Sequence, residues 1–222
     1  MRSASRARPF GRASFTFAIA HGDAIATDIL TPAERREYDA LGYDVRRRDW
    51  LAGRCAAKCA VARRHGISID RLCLETTTSA APSCSRLARG SWSPLPLTLS
   101  IGHCAGVAIA AATDLTMAIG VDIEREGAVD PHECRLFVGP GEQQALSRLD
   151  ATLAWVLKEA AWKALRLGED IPFGALELDL TDDARLLRGM RVGGQWRPAH
   201  AFVVQLPRAL GMRAAVIVAE AA

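Results

Sequence analysis

Apolar residues recur along the chain in short runs, separated by segments that contain glycine, proline and serine. Runs of this length, rich in β-branched and aliphatic residues, are typical of strands. The predicted strands are residues 15–20, 72–76, 97–100, 107–112, 117–124, 176–180, 201–206 and 214–219. The stretch 77–96 is rich in Ser, Thr and Pro and is predicted to be a loop, and turns are predicted at 102–106 and 113–116.

Helical periodicity, together with start and stop signals, predicts five helices. They cover residues 32–41, 46–65, 131–137, 141–149 and 152–167. Thr31 is the predicted N-cap of the first, with Pro32 at its first position, and Gly66 ends the second. Because both halves of the chain combine helices with strands, the sequence predicts an α+β fold with a duplicated α+β unit.

The helix predicted at 152–167 has two distinct sides. One apolar stripe should face the core: Leu153, Leu157, Ala160, Ala164 and Leu167. Polar and aromatic residues lie on or near the opposite side: Trp155, Glu159, Trp162, Lys163 and Arg166. Since Glu159 and Lys163 are one turn apart, both can reach a cleft while the helix is anchored from behind.

The strand predicted at 117–124 carries Asp122 and Glu124 two residues apart. Side chains alternate across a strand, so both carboxylates share the face of Gly120, and the isoleucines and valine of the strand take the other face. Together with the glutamate and lysine of the following helix, they form a group of three carboxylates and one lysine that can converge. Such a group suits a hard divalent cation and a phosphate chain.

Composition limits the class of protein. The chain has 222 residues, half of them apolar, and a net charge of +3. This length buries a sizeable core, the apolar content argues against general disorder, and the mild charge does not indicate a nucleic-acid partner. No apolar run is long enough to span a membrane. The Arg- and Ser-rich start is expected to be exposed, with an organelle transit peptide as the alternative.

Six cysteines are spread along the chain without CxxC pairs or an evident disulfide framework. They are expected to be reduced thiols of a cytoplasmic protein. The alternative is a zinc site, although structural zinc sites favour tighter paired spacings. Its ligands would come from Cys84, His103, Cys104, His132 and Cys134.

Basic residues are concentrated between positions 35 and 64, where nine of them occur. They include the run Arg46-Arg47-Arg48, and Arg47, Arg54 and Lys58 fall on one stripe of the helix predicted at 46–65. This cluster suits an anionic ligand.

Each of these features also has an ordinary structural explanation. An Asp-x-Glu pair is often a solvated strand edge, and a Glu-Lys pair one turn apart is often a surface ion pair. An arginine run can start a solvated helix, and His103 beside Gly102 can be a turn histidine. One phosphate-binding site accounts for all of them at once, so it is the preferred interpretation.

Four segments resemble, in their order and spacing, the motifs of the 4′-phosphopantetheinyl transferases of the Sfp/EntD type. The G-x-D-x-E motif matches Gly120–Glu124, and the W-x-x-K-E-A-x-x-K motif matches Trp155–Lys163, about thirty-five residues later. The S-x-[ST]-H-x-x-G turn matches Ser100–Gly106, and the arginine-rich helix start matches Arg46–Arg54. The resemblance extends over roughly residues 31–180.

The resemblance implies an enzyme of the holo-acyl-carrier-protein synthase type. Such an enzyme moves the phosphopantetheine arm of coenzyme A to a serine of an acyl or peptidyl carrier protein, with Mg²⁺, and releases 3′,5′-ADP. The implied fold is a pseudo-two-fold pair of similar α+β halves with coenzyme A in the cleft between them. Here the halves would be residues 1–116, with the coenzyme A-binding arginines and the histidine turn, and residues 117–222, with the carboxylates and the carrier-docking surface.

The resemblance also implies roles for single residues. The implied ligands of Mg²⁺, with Mn²⁺ as the alternative ion, are Asp122, Glu124 and Glu159. Asp122, Glu159 and Lys163 would be catalytic: Glu159 would help to deprotonate the carrier serine, and Lys163 would stabilise the leaving group. The implied coenzyme A-binding residues are Arg46, Arg47, Arg54, His103 (for the 3′-phosphate) and Lys163.

Two segments depart from the family pattern. Many relatives carry a basic Gly-Lys-Pro-like segment before the histidine turn, where this chain has Ser79-Ala80-Ala81-Pro82, and Gly102 stands where Ser or Thr is usual. A degenerate relative that binds coenzyme A or a carrier without transfer is therefore one alternative. A metal-dependent nuclease is another alternative. It is disfavoured because such sites usually place a lysine two residues after an acid on the same strand, and the segment Gly120–Glu124 has no lysine in this position.

The remaining expectations concern partners and location. The chain is expected to be a cytoplasmic monomer that serves carriers of fatty-acid or secondary-metabolite synthesis, without a nucleic-acid or membrane partner. The carrier is expected to dock near the helix predicted at 141–149.

Overall fold

The computed structural model describes residues 14–76, 81–168, 171–181 and 187–221. Within these ranges, strands in three antiparallel sheets combine with a few helices, so the predicted α+β fold class is confirmed. The α-helices are α1 (Pro32–Ala40), α2 (Asp44–His65), α3 (Gln143–Leu146) and α4 (Ala151–Leu165). The strands are β1 (Thr16–His21), β2 (Leu72–Thr76), β3 (Pro82–Ala88), β4 (Ser91–Pro94), β5 (Leu97–Cys104), β6 (Val107–Asp114), β7 (Met117–Arg125), β8 (Leu176–Leu180), β9 (Leu187–Val192), β10 (Gln195–Val203) and β11 (Met212–Glu220).

A three-stranded sheet with the order β1-β6-β5 carries α2 on one face. Small residues allow this close packing, because alanines of α2 such as Ala56 and Ala60 meet alanines of β6 such as Ala108 and Ala110. Gly66 ends α2 in the left-handed conformation, as the sequence predicts. The β2-β3-β4 sheet lies beside this layer.

A five-stranded sheet with the order β7-β11-β10-β9-β8 carries α4 on one face. The helix begins at the N-cap Asp150, whose side chain accepts a hydrogen bond from the backbone N–H of Leu153. Its buried face is wider than the predicted stripe and includes Val156 and Ala161. The helix therefore covers β7 and β11 with alanine and aliphatic side chains.

A third apolar cluster joins the two sheets. The residues of β6 that point away from α2, such as Ile109, pack against the alternate residues of β7 and β11, such as Val121 and Val216. Each sheet therefore carries one long helix on its outer face and the other sheet on its inner face. This arrangement brings β5 close to β7, where the Ser100 hydroxyl accepts a hydrogen bond of 3.1 Å from the backbone N–H of Val121.

Each long helix is anchored by a fully buried lysine–glutamate pair. On α2, the Lys58 ammonium donates to Glu34 Oε2 at 2.7 Å and to a backbone carbonyl, and Glu34 Oε1 accepts from the backbone N–H of Leu74. On α4, the Lys158 ammonium contacts Glu142 and a backbone carbonyl, and Glu142 Oε2 accepts from the backbone N–H of Leu178 at 2.5 Å. Each buried ion pair thus ties its helix to a strand that follows it in the chain, β2 for α2 and β8 for α4.

Several regions differ from the sequence prediction. The segment predicted as a loop at 77–96 contains the β3–β4 hairpin, with residues 77–80 outside the described ranges. Strand β9 was not predicted, and β10 begins at Gln195, ahead of the predicted start. The helix predicted at 131–137 is a 3₁₀ helix, Pro131–Leu136, and the one at 141–149 shrinks to α3. These segments are polar and half-exposed, so their local hydrophobic pattern is weak.

Two further observations concern the thiols and the helices. The six cysteine side chains are free thiols. No helix within the described part of the chain is both long and apolar enough to cross a membrane.

The buried ion pair between Lys158 and Glu142 should dominate the stability of the five-stranded sheet with α4. The change Lys158→Met is expected to lower the free energy of unfolding by about 3–5 kcal/mol, because it leaves the Glu142 carboxylate buried and unpaired. Urea unfolding at neutral pH measures the loss. The variant Lys58→Met should give a similar loss, and Lys158→Met combined with Glu142→Gln should recover part of it; a loss below about 1 kcal/mol would contradict the dominant role of the pair.

Candidate active site

The position of α4 on the sheet depends on Gly120. A Cβ atom at this position would overlap the carbonyl oxygen of Ala160 and would lie 2.5 Å from the backbone nitrogen of Ala164. Only glycine lets the helix backbone approach β7 so closely. The Gly120 face of β7 therefore meets α4, and the opposite face, with Ile119, enters the cluster between the sheets, as the alternation in the sequence predicts.

This close approach brings three of the predicted residues together. The Lys163 ammonium donates to Asp122 Oδ1 at 2.6 Å and lies 3.8 Å from Glu159 Oε2. Since one nitrogen contacts both carboxylates, their two oxygens are separated by no more than the sum of these distances. Asp122 and Glu159 therefore face the same space.

Burial makes this group of charges costly. The Asp122 side chain is only 8 % exposed, and burial raises the pKa of its carboxyl above 3.8, although Lys163 opposes the shift and Glu124 adds to it. Burial likewise raises the pKa of Glu159, and Lys163 again opposes the shift while Asp122 and Glu124 add to it. Asp122 and Glu124 are thus close enough to Glu159 to disfavour its ionisation.

Glu124 is the third carboxylate of the group. Its Oε2 accepts a hydrogen bond of 3.2 Å from the Cys104 thiol at the end of β5. Burial and this carboxylate raise the pKa of Cys104 to about 11, so the thiol keeps its proton near neutral pH and remains a donor. The sequence offers no signal for this contact, because it depends on the crossing of β5 and β7.

A hard divalent cation fits the donors of this site. The Asp122 Oδ2 atom is buried and has no hydrogen-bond partner among the described residues, and the carboxylates supply only oxygen ligands. No group of three or more His, Cys, Asp or Glu side chains close enough to hold a metal ion is found within the described ranges, and this applies both to the zinc alternative and to Asp122, Glu124 and Glu159 as the structure places them. The other oxygen of this carboxylate, Asp122 Oδ1, accepts a hydrogen bond from the Lys163 ammonium.

A cleft of about 490 Å³ adjoins the carboxylate group and is large enough for a nucleotide-sized ligand. Residues of both long helices, of β5 and of the start of β3 line it. The lining residues are Trp50, Gly53, Arg54, Ala81, Pro82, Leu99, Ser100, Ile101, His103, Trp162, Lys163, Arg166 and Leu167.

Arg54 and His103 both line this cleft, and their role in binding coenzyme A stays a prediction. The Arg54 side chain is 4 % exposed, its guanidinium lies 4.4 Å from the centre of the Trp50 ring, and it forms a 3.0 Å ion pair with Glu37. The packing therefore holds the guanidinium in one orientation at the wall of the cleft.

The structure does not bring Arg46 and Arg47 into the cleft. Arg46 is exposed, and Arg47 points toward α1, where its guanidinium donates to the carbonyl of Asp39 at 3.3 Å and lies over the Tyr38 ring. Their role in binding coenzyme A stays a prediction.

His103 lies on a strand, whereas the sequence predicts a turn at 102–106. Strand β5 continues to Cys104, and only Ala105 and Gly106 form the turn, with positive φ angles. The Asp49 carboxylate of α2 accepts a hydrogen bond from the backbone N–H of Gly106 and anchors this turn. At Gly102, a Cβ atom would lie 2.9 Å from the Cα of Asp122, so glycine is needed for the close crossing of β5 and β7.

Sequence reasoning assigned no site role to Arg166 or to an aromatic stack that supports the cleft. Phe173 is stacked between Trp155 and Trp162, with ring centroids 5.1 Å and 4.6 Å away, and Trp162 forms part of the cleft wall. Arg166 follows the last residue of α4 in the left-handed conformation, with φ of 52°. This conformation costs a non-glycine residue about 1–2 kcal/mol.

A model of the 4′-phosphopantetheinyl transferase superfamily matches residues 118–214, which include most of β7, all of α4 and the three carboxylates. The match supports this superfamily and, with it, a transferase. A search of curated proteins finds no match.

Gly120 gives a direct test of the helix position. The change Gly120→Ala is expected to lower the free energy of unfolding by about 3 kcal/mol, because the new methyl group overlaps the α4 backbone, which cannot move without breaking the core. Thermal or urea unfolding measures the effect. Gly42→Ala is the matched control, because a Cβ at Gly42 meets no atom within 4 Å; equal stabilities of the two variants would refute the constraint.

Asp122 should lower stability as it ionises. Its raised pKa means that the folded protein binds this proton more tightly than the unfolded chain, so the free energy of unfolding falls as pH rises from about 4 through the folded-state pKa. Asp122→Asn cannot ionise, so its stability relative to the unsubstituted protein should increase over this pH range. Urea unfolding at several pH values tests this, with the exposed Glu220→Gln as control; a difference that does not change with pH would contradict the prediction.

Proposed function

We propose that this protein transfers the 4′-phosphopantetheine arm of coenzyme A to a serine of an acyl or peptidyl carrier protein and releases 3′,5′-ADP. The observation that carries the proposal is the Lys163 ammonium, which contacts Asp122 and lies beside Glu159 at the border of a cleft lined by Arg54 and His103. This arrangement joins a site for a pyrophosphate to a site for the rest of a nucleotide.

The superfamily match supports phosphopantetheine transfer in general. Two finer assignments, to the Sfp/EntD type and to holo-acyl-carrier-protein synthase activity, depend on motifs that lie partly outside the matched range. Two of these, Arg46–Arg54 and Ser100–Gly106, come from the first half of the chain. Arg54 and His103 belong to them, and both line the cleft beside Lys163. The proposal therefore treats residues 1–116 and 117–222 as two halves that share one site.

The roles in binding follow from charge. Asp122, Glu124 and Glu159 would hold Mg²⁺, with Mn²⁺ as the alternative ion. The bound ion would neutralise part of the negative charge of the pyrophosphate. Lys163 contacts the same phosphates from α4. Arg54, held by Trp50 and Glu37, binds coenzyme A from α2.

The chemistry is a displacement at phosphorus. The serine oxygen of the carrier attacks the phosphorus atom that bears the pantetheine, and the bond from this phosphorus to the bridging oxygen of the pyrophosphate breaks. The serine proton passes to the Glu159 carboxylate, which lies beside Lys163 at the border of the cleft. Lys163 stabilises the negative charge that develops on the leaving 3′,5′-ADP.

Several finer expectations belong to the proposal and remain predictions. They are the contribution of Arg46 and Arg47 to phosphate binding, a monomeric state, a cytoplasmic location and the docking of the carrier near α3. The departures from the family pattern remain compatible with binding, because Ala81 and Pro82 form part of the cleft wall even without a basic residue; residues 79 and 80 lie outside the described ranges.

Incubation of the purified protein with coenzyme A, Mg²⁺ and a panel of carrier proteins tests the proposal. Intact-mass spectrometry should show that a carrier gains the mass of one phosphopantetheine arm, and 3′,5′-ADP should appear in equal amount. Asp122→Asn and Glu159→Gln should each lower the rate by about a hundred-fold or more, because they remove a pyrophosphate-site ligand and the base. Chelation of the divalent ion should stop the reaction.

Glu220→Gln removes an exposed carboxylate far along β11 and should leave the rate unchanged. If the protein binds coenzyme A but modifies no carrier, the degenerate binding protein replaces the enzyme as the conclusion. Unchanged activity of Asp122→Asn would refute the assigned site, since no other carboxylate contacts Lys163 so closely within the described residues.

A further inference from the structure

Arg166 is an unusual residue for its place at the end of α4. Its backbone has the left-handed conformation, and the helix end is closed by backbone hydrogen bonds from Arg166 to the carbonyl of Lys163 and from Leu167 to that of Trp162. Glycine meets this need with less strain, and asparagine tolerates it better than arginine. The helix end alone therefore does not require the guanidinium.

Arg166 differs from the other basic residues of the cleft in having no ion-pair partner among the described residues. Lys163 is paired with Asp122 and Glu159, and Arg54 is paired with Glu37. The Arg166 side chain, which is exposed and lines the same cleft, makes no ion pair or hydrogen bond to another described residue. Among the arginines and lysines that line the cleft, it is thus the cation whose charge no described acidic side chain neutralises.

The position of Arg166 along α4 indicates which part of a ligand it meets. It lies three residues beyond Lys163, a rise of about 4.5 Å along the helix axis, on the side away from Glu159. Asp122 and Glu159 do not line the cleft, whereas Lys163 and Arg166 do. Along the chain, Glu159 therefore lies outside the cleft, whereas Lys163 and then Arg166 line it.

We infer that Arg166 binds the 3′-phosphate of coenzyme A and so determines the preference of the site for the 3′-phosphorylated cofactor. This inference rests on the proposed function, in which Lys163 and the carboxylates take the pyrophosphate. Coenzyme A carries one further phosphate, on the ribose, and a guanidinium binds such a group through two parallel hydrogen bonds. Arg166 would contact this phosphate from the end of α4, and His103 and Arg54 line the same cleft from β5 and α2.

Isothermal titration with coenzyme A and with 3′-dephospho-coenzyme A tests this role without requiring transfer. The unsubstituted protein should bind coenzyme A more tightly, and Arg166→Gly should reduce the ratio of the two dissociation constants about ten-fold or more. Binding of the dephosphorylated ligand should change little. Arg166→Lys should keep part of the preference, because it keeps the charge but loses the paired donors.

Arg89→Gly is a closely matched control. Arg89 also has a positive φ, of 51°, but it lies in the β3–β4 turn and does not line the cleft. Both glycine variants remove one positive charge and relieve the same backbone strain, so both should raise the Tm by about 2–4 °C. Only Arg166→Gly should change the ratio of dissociation constants.

The outcomes separate this inference from its alternatives. If Arg166→Gly weakens both ligands equally, or leaves their ratio unchanged, the inference is wrong. If the ratio stays constant and the Tm falls, the arginine serves the helix dipole at the end of α4 instead. If the unsubstituted protein binds neither ligand, the proposed function fails and this inference fails with it; transfer by the unsubstituted protein with an unchanged ratio in Arg166→Gly overturns the inference alone.

Discussion

The close contact of α4 with β7 at Gly120 is the constraint on which the site depends. A strand and a helix normally keep a layer of side chains between them, but here the helix backbone rests where a Cβ atom would stand. This contact brings the residues of one helical turn, Glu159 and Lys163, over the strand residue Asp122. A few ångströms more separation would break the 2.6 Å contact between Lys163 and Asp122. The glycine of the G-x-D-x-E motif is thus explained by the close packing of α4 on β7. The two carboxylates that follow it are explained by the proposed binding of a metal ion and a phosphate chain.

Two buried lysine–glutamate pairs hold the helices that form the walls of the cleft. The Lys58–Glu34 pair ties α2 to β2, and the Lys158–Glu142 pair ties α4 to β8. Because each charge is fully buried and each glutamate also accepts backbone hydrogen bonds, the pairs leave little freedom for the helices to rotate. Each helix then presents its polar residues to the cleft from a fixed orientation.

The charges of the site oppose one another because the fold places them together. Burial brings three carboxylates into one region and raises the pKa of two of them, which lowers stability, and Lys163 offsets only part of this cost. A polyanionic substrate and a divalent cation would complete the charge balance. Sites that bind ions commonly sacrifice stability in this way, because the groups that bind the ligand repel one another in its absence.

The sequence by itself determined the α+β class, most long elements and the alternation that puts Asp122 beside Gly120, since these depend on periodicities of two and 3.6 residues. It also determined the cap at Thr31 and the helix end at Gly66, which are local hydrogen-bonding and steric preferences. Only the tertiary structure decided which arginines line the cleft: Arg54 and Arg166 do, whereas Arg46 and Arg47 turn to solvent and to α1. The contact of Cys104 with Glu124 and the burial of Lys158 were likewise invisible in sequence. Each depends on residues far apart in the chain, and no local pattern records which surfaces will meet.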